Sequence, residues 1–118
     1  MTREIVGAAI DVHRELGPGL LENVYEECLA FELSQRGLAY ERQLSVPLNY
    51  KGNALNSNLR IDVFVENRVV VELKSIEAVL PIHEAQLMTY LRLTRCSVGL
   101  LINFNVPVLK QGITRRVL

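Results

Sequence analysis

The sequence of 118 residues has no tryptophan, only 6% aromatic residues, four prolines and two cysteines. Cys28 and Cys96 alone supply neither a disulfide framework nor a four-ligand zinc site, and their apolar neighbourhoods mark both as small core residues. Net charge is also absent, because 13 basic and 13 acidic side chains cancel. A strongly basic nucleic-acid coat protein is thereby excluded, whereas a local basic face is not. No apolar run approaches the ~20 residues of a membrane-spanning helix, so no membrane partner is expected. Met1-Thr2-Arg3-Glu4 leads straight into an amphipathic pattern rather than a secretory leader, which points to a cytoplasmic location. No glycine-rich phosphate loop follows a strand, no G-x-S-x-G elbow is present, and neither cysteine has the context of a nucleophile. Basic residues with interleaved aromatics, the mark of a single-strand stacking platform, are missing too.

What is present suits one folded unit over residues 1–118. Hydrophobic residues make up 49% of the chain, enough for a real core. Charge is uneven: the first 58 residues carry five basic and eight acidic side chains, the remainder eight basic and five acidic. Ile5, Ala9, Val12 and Leu16 trace one helical stripe, stopped by Gly17-Pro18-Gly19. A second helix is expected from about Leu20 to Arg36, with Leu21, Val24, Tyr25, Cys28, Leu29 and Leu33 on its apolar side and Gly37 as its stop. Tyr40 to Tyr50 alternates as a half-buried strand with an irregularity at Pro47, and Lys51 to Asn58 reads as a turn. Leu59–Val65 and Val69–Lys74 follow as strands. Pro81 then opens a third helix running to about Arg95. Ser97–Phe104 is a strand covered on both faces, and Ile113–Leu118 a short last one. The expected fold is α/β of the α+β kind, a mixed sheet flanked by helices in the order α-α-β-β-β-α-β(-β).

Chemistry concentrates in Arg60-Ile61-Asp62-Val63-Phe64-Val65 and Val69-Val70-Val71-Glu72-Leu73-Lys74. Glu72 and Lys74 are two apart on a strand and project from one face. Their neighbours are apolar, where an unpaired charge is costly. Two carboxylates, Asp62 and Glu72, form a pair of oxygen ligands for a hard cation such as Mg²⁺. Register decides whether they meet. A two-residue turn at Glu66-Asn67 sets Asp62 opposite Val71, while a three-residue loop through Arg68, or a bulge, sets it beside Glu72. Spacing alone favours a surface salt-bridge trio on a hairpin. If the carboxylates do converge, at least one has a raised pKa.

Asp62, nine intervening residues and then Glu72-Leu73-Lys74 resemble the signature of the PD-(D/E)XK nuclease superfamily, although Ile61 stands where that signature has proline. A closer resemblance spans nearly the whole chain. Gly19-Leu20-Leu21-Glu22-Asn23-Val24-Tyr25 reads as G-x-x-E-x-x-Y, and with His13–Gly19, Val71–Lys74, His83–Leu87 and Leu100–Phe104 it resembles the GxxExxY family, grouped with those nucleases. The resemblance implies a restriction-endonuclease-like core and Glu22 as an additional metal ligand, beside Asp62, Glu72 and the Leu73 carbonyl. Without it, Glu22 reads as a helix N-terminal cap or a solvated residue. Gln86 and Tyr90, four apart on the third helix, resemble the Q-x-x-x-Y pair of RecB-like members, which supports the metal-binding residues and the nucleic-acid backbone. Tyr90 reads equally well as core. His83 borders that stripe, and His13 is structural.

The resemblance therefore implies a phosphodiesterase dependent on Mg²⁺ or Mn²⁺, with DNA or RNA as partner. Asp62, Glu72, Lys74, Gln86 and Tyr90 would form its catalytic set, and Arg60, Arg68, Arg92 and Arg95 its candidate phosphate contacts. The rival is a catalytically silent binding module for nucleic acid or protein, working as a homodimer.

Overall fold

The computed structural model describes all residues from Met1 to Leu118. Two helices lead, α1 (Thr2–Leu16) and α2 (Glu22–Gln35), followed by strands β1 (Tyr40–Ser45), β2 (Leu48–Tyr50), β3 (Asn53–Leu55), β4 (Arg60–Val65) and β5 (Val69–Lys74). Helix α3 (Pro81–Thr94), β6 (Val98–Asn103), a 3-10 turn (Leu109–Gly112) and β7 (Ile113–Val117) complete the chain. The main sheet runs β1-β4-β5-β6-β7; only β5 and β6 are parallel, because α3 carries the chain back between them. This is the mixed α+β sheet expected. No helix is long and apolar enough to cross a membrane.

The sheet separates two cores. Ile5, Ala9 and Val12 of α1 and Leu29 and Leu33 of α2 pack with Val63, Val65, Val69, Val71 and Leu73 on one face. On the other, Leu87 and Leu91 of α3 pack with Ile61, Phe64, Val70 and Leu101. Both α3 leucines are fully buried, and each such burial contributes about 1.5–3 kcal/mol. Strands β5 and β6 are buried on both faces, hence their nearly continuous apolar runs.

Three details depart from expectation. The stretch Tyr40–Tyr50 is not one strand: β1 ends at Ser45, beside Pro47, and β2 pairs instead with β3, inside the segment read as a turn. Lys51 and Gly52, both left-handed at φ 50° and 83°, form the two-residue loop of that hairpin. Leu21, placed on the apolar stripe of α2, is 72% exposed because the helix begins only at Glu22. Cys96 is buried as expected, whereas Cys28 is half-buried.

Gly112 packs so closely on the Asn103 carbonyl that a β-carbon there would overlap the backbone, while one at Gly99 would meet side chains alone, Leu87 at 2.7 Å and Leu91 at 3.2 Å. Gly112→Ala is therefore expected to destabilise the fold by about 1–3 kcal/mol. Gly99→Ala should cost less, with urea unfolding curves as the measurement.

Candidate active site

The hairpin between β4 and β5 sets the register. Val65 pairs with Val69, Phe64 with Val70 and Val63 with Val71, leaving Glu66, Asn67 and Arg68 as a three-residue loop. Glu66 and Asn67 both take φ 53°, and the Arg68 N–H closes the turn on the Val65 carbonyl at 2.9 Å. This is the loop length that brings Asp62 level with Glu72. Beyond Val63 the backbone ladder stops. The Leu73 N–H donates to the Asp62 carboxylate at 2.8 Å, and the Asp62 N–H lies 3.4 Å from Glu72 Oε2. Each strand thus has one N–H directed at a carboxylate of the other.

An irregularity in β1 accompanies this. Gln43 lies across from Asp62 between the pairs Arg42–Val63 and Leu44–Ile61, and it alone in the strand is left-handed, at φ 51°. The faces swap there: Tyr40 and Val63 pack toward α1 and α2, but Leu44 and Ile61 pack toward α3. The kink leaves the Gln43 side chain free to bridge. Its amide nitrogen donates to Glu26 at 2.6 Å and to Asp62 Oδ1 at 3.2 Å. Glu26 is buried on α2 and takes a charge-assisted bond from Arg42 at 3.0 Å. Neither Gln43 nor Glu26 has a sequence signal beyond an ordinary strand glutamine and helix glutamate.

Glu22 reaches the same region because α2 starts beside the chain leaving β5. Ser75 donates its hydroxyl to the Leu20 carbonyl at 2.5 Å, and its N–H lies 3.4 Å from Glu22 Oε2. Tyr25 fixes the preceding turn. Its hydroxyl donates to the Gly17 carbonyl at 2.6 Å and accepts the Leu20 N–H at 3.2 Å, while its ring stacks on Phe104 with centroids 4.3 Å apart. Gly17 and Gly19, at φ 69° and 96°, take the left-handed geometry that this tight path requires.

Glu22, Arg60, Asp62, Glu72, Lys74, His83, Gln86 and Tyr90 line one cavity of about 290 Å³ between the sheet and α3. The expected site residues are thus brought together except Leu73, whose side chain packs into the core on the α1 and α2 face. They do not form a tight cluster: no three His, Cys, Asp or Glu side chains stand close enough to hold a metal by themselves. Glu22 is turned to the Ser75 amide rather than onto Asp62 and Glu72, an arrangement that keeps like charges apart. His83 accepts the Leu80 N–H at Nδ1, 2.9 Å, and so caps the start of α3 while bordering the cavity. His13 bonds the Val106 carbonyl at 2.8 Å and is structural, as expected. Of the four candidate phosphate contacts only Arg60 lines this cavity. Arg92 does not line it, although it bonds Thr89, which does, and Arg68 and Arg95 lie at the other end of the sheet.

Electrostatics single out Glu72. It is 8% exposed, and its Oε1 has no hydrogen-bond partner. Burial pushes its pKa up to about 10; the adjoining Asp62 carboxyl adds to this, and the Asp62 N–H and the Lys74 ammonium oppose it. Lys74 makes no ion pair within 4.0 Å and stays available to the cavity. Burial also raises the pKa of the Tyr90 hydroxyl, with the Glu72 charge adding to it.

A mixed sheet with two facing carboxylates and a lysine at the mouth of its central hairpin, backed by a crossover helix, defines an α+β domain built around an acidic cavity. The model of the PD-(D/E)XK nuclease superfamily matches residues 1–116, and the chain belongs to that superfamily. No curated protein and no solved structure gave a match.

An acid whose pKa is higher folded than unfolded binds more protons in the native state, so stability falls as pH rises between the two values. For Glu72 that window runs from 4.5 to about 10. In chelator, thermal melts should show the midpoint declining from pH 6 to pH 9. Glu72→Gln should flatten that decline and raise the midpoint at the alkaline end.

Proposed function

We propose that residues 1–118 act as one metal-dependent nuclease domain that hydrolyses phosphodiester bonds in DNA or RNA. The observation that carries this reading is the buried Glu72 carboxyl, with an unpartnered oxygen, beside Asp62 and Lys74 in a cavity open to solvent. A structural salt bridge would leave neither that oxygen without a donor nor that lysine without an acceptor.

The donor set fits a hard divalent cation. Mg²⁺ and Mn²⁺ take oxygen ligands, and Mg²⁺ is commonly held by one or two carboxylates while keeping several waters, so a third carboxylate is not required. Asp62 and Glu72 would hold it, with the Leu73 carbonyl and Glu22 as the further oxygens at hand. Such a cation supplies Lewis-acid polarisation of a phosphate and lowers the pKa of water. The remaining work belongs to the chain. Lys74 orients the attacking water and balances negative charge as the phosphate becomes five-coordinate. Gln86 both donates and accepts, which suits it to hold Lys74 or a carboxylate in place. Tyr90 lines the same cavity as Glu72 and feels its charge. The Leu73 N–H and the Gln43 amide fix the Asp62 rotamer, and Gln43 acts as a positioning residue tied to the buried Glu26–Arg42 pair.

Purified protein is assayed on single-stranded, duplex and branched DNA and RNA with Mg²⁺ or Mn²⁺. Asp62→Asn, Glu72→Gln and Lys74→Ala should each abolish cleavage with the fold kept, and Glu72→Gln should raise the melting temperature. Gln86→Ala and Gln43→Gly should lower the rate by about 10–100-fold; glycine is chosen at Gln43 because it accepts φ 51° without strain. Binding of nucleic acid without cleavage by the unsubstituted protein would overturn the nuclease reading in favour of a silent binding module.

A further inference from the structure

The arginines at the far end of the sheet are not scattered. Arg68, Arg95 and Arg115 line a second cavity of about 450 Å³, together with Asn67, Ser97 and the first residue of α1, Thr2. Four separate parts of the fold meet there: the β4–β5 loop, the link from α3 to β6, strand β7 and the start of α1. No lining residue carries a negative side chain, and none of the three guanidiniums has a carboxylate within 4.0 Å. Ion pairs elsewhere occupy Arg14, Arg36, Arg42 and Arg116. Gathering three unpaired cations raises the local potential and costs stability unless an anion joins them.

Backbone conformation points the same way. Arg95 ends α3 in the left-handed region, φ 60° and ψ 29°, where glycine is the unstrained choice. Asn67, next to Arg68, is left-handed too. At the C-terminal end of α3 the Arg92 and Leu91 carbonyls are taken up by the Arg95 and Cys96 N–H groups at 3.4 and 3.1 Å.

We infer that this cavity binds a phosphate of a nucleic-acid strand whose scissile bond lies in the catalytic cavity. The inference rests on the nuclease reading for the identity of the strand. Guanidinium groups match phosphate oxygens in pairs, and Ser97 and Asn67 add polar groups at the same wall. The catalytic cavity runs along α3 from Ile82 to Tyr90, and Arg68 lies four residues before Glu72 on the same hairpin, roughly 13 Å along the strand. A strand that rounds the end of the sheet from one cavity to the other passes at least about four nucleotides at ~3.4 Å each. The pocket therefore acts as a distal anchor that fixes where along the strand the catalytic carboxylates fall.

The test uses the full chain in EDTA, so that no strand is cut. It is titrated with a short 5′-phosphorylated DNA oligonucleotide long enough to reach both cavities, and separately with inorganic phosphate. Arg95→Gly combined with Arg115→Thr removes two cations at positions where glycine and a β-branched residue fit, and circular dichroism confirms the fold. Arg14→Ala, 78% exposed on α1 and outside both cavities, is the control for unspecific charge. Oligonucleotide affinity should fall roughly tenfold or more in the double variant, and the slope of log affinity on log salt should shrink by about 1.4. Arg14→Ala should change affinity by less than about twofold. Equal losses in the two proteins, or no loss in either, overturn the anchor. Binding of inorganic phosphate with no measurable oligonucleotide binding overturns the nucleic-acid strand as its occupant. Cleavage is scored separately: an anchor that binds a strand in a protein that never cuts leaves the pocket standing and removes the nuclease reading. Cutting with unaltered binding in the double variant does the reverse.

Discussion

A carboxyl group held at the centre of an apolar sheet must either keep a proton or face a positive charge, and Glu72 sets that requirement for everything near it. Its neighbours are arranged to meet the requirement only in part. Asp62 is spent on the Leu73 amide, the Asp62 N–H lies at 3.4 Å from one oxygen of Glu72, and the other oxygen has no partner. Lys74 stands on the same strand face and eases the carboxyl's burial without an ion pair. Replacing this group with an apolar side chain of similar volume would relieve the burial cost, so stability alone does not account for the arrangement.

Sheet irregularities and glycine turns serve the same end. A regular β1–β4–β5 ladder would direct the N–H groups of Asp62 and Leu73 at backbone carbonyls. The left-handed Gln43 and the swap of faces at Asp62 open the ladder where the side chains must enter it. Tyr25 does comparable work for α2: by binding both sides of the Gly17–Leu20 turn and stacking on Phe104, it fixes the point where the helix begins and Glu22 emerges. Asn103 completes the frame. Buried at the end of β6, it exchanges two hydrogen bonds with Ile76 and so holds the chain just past Lys74.

Much of this was legible from residue order. Helix periodicity, the Gly17-Pro18-Gly19 stop and the initiating Pro81 located three helices, because each rests on local backbone preference. The Asp62–Glu72 encounter was legible as a condition on loop length, and the three-residue loop met it. The β2–β3 hairpin was missed because Lys51-Gly52 sat among asparagines that hid the short strands on either side. Gln43 and Glu26 were invisible for a different reason. Their bond joins a helix to a strand 17 positions away, and neither residue type is unusual in its own element. Arg68 and Arg95 were grouped with Arg60 by charge, whereas the strand and helix lengths between them carry them to the opposite end of the sheet.

The outer edge of the sheet has a consequence for how the protein behaves in a crowded solution. Strand β7 lies at the edge, pairing only with β6, and is largely exposed along its second half. An unpaired edge of this kind is a template for adding another strand, including one from a second copy. Here Arg115 and Arg116 occupy successive positions, one turned to each face of the sheet. Two such edges laid side by side would bring four guanidiniums together, so the strand carries its own guard against accretion. Arg116 is tethered to Glu84 of α3, but Arg115 is not paired. Whatever neutralises Arg115 therefore also lowers the barrier to self-association along that edge, which links occupancy of the nearby pocket to the solubility of the chain.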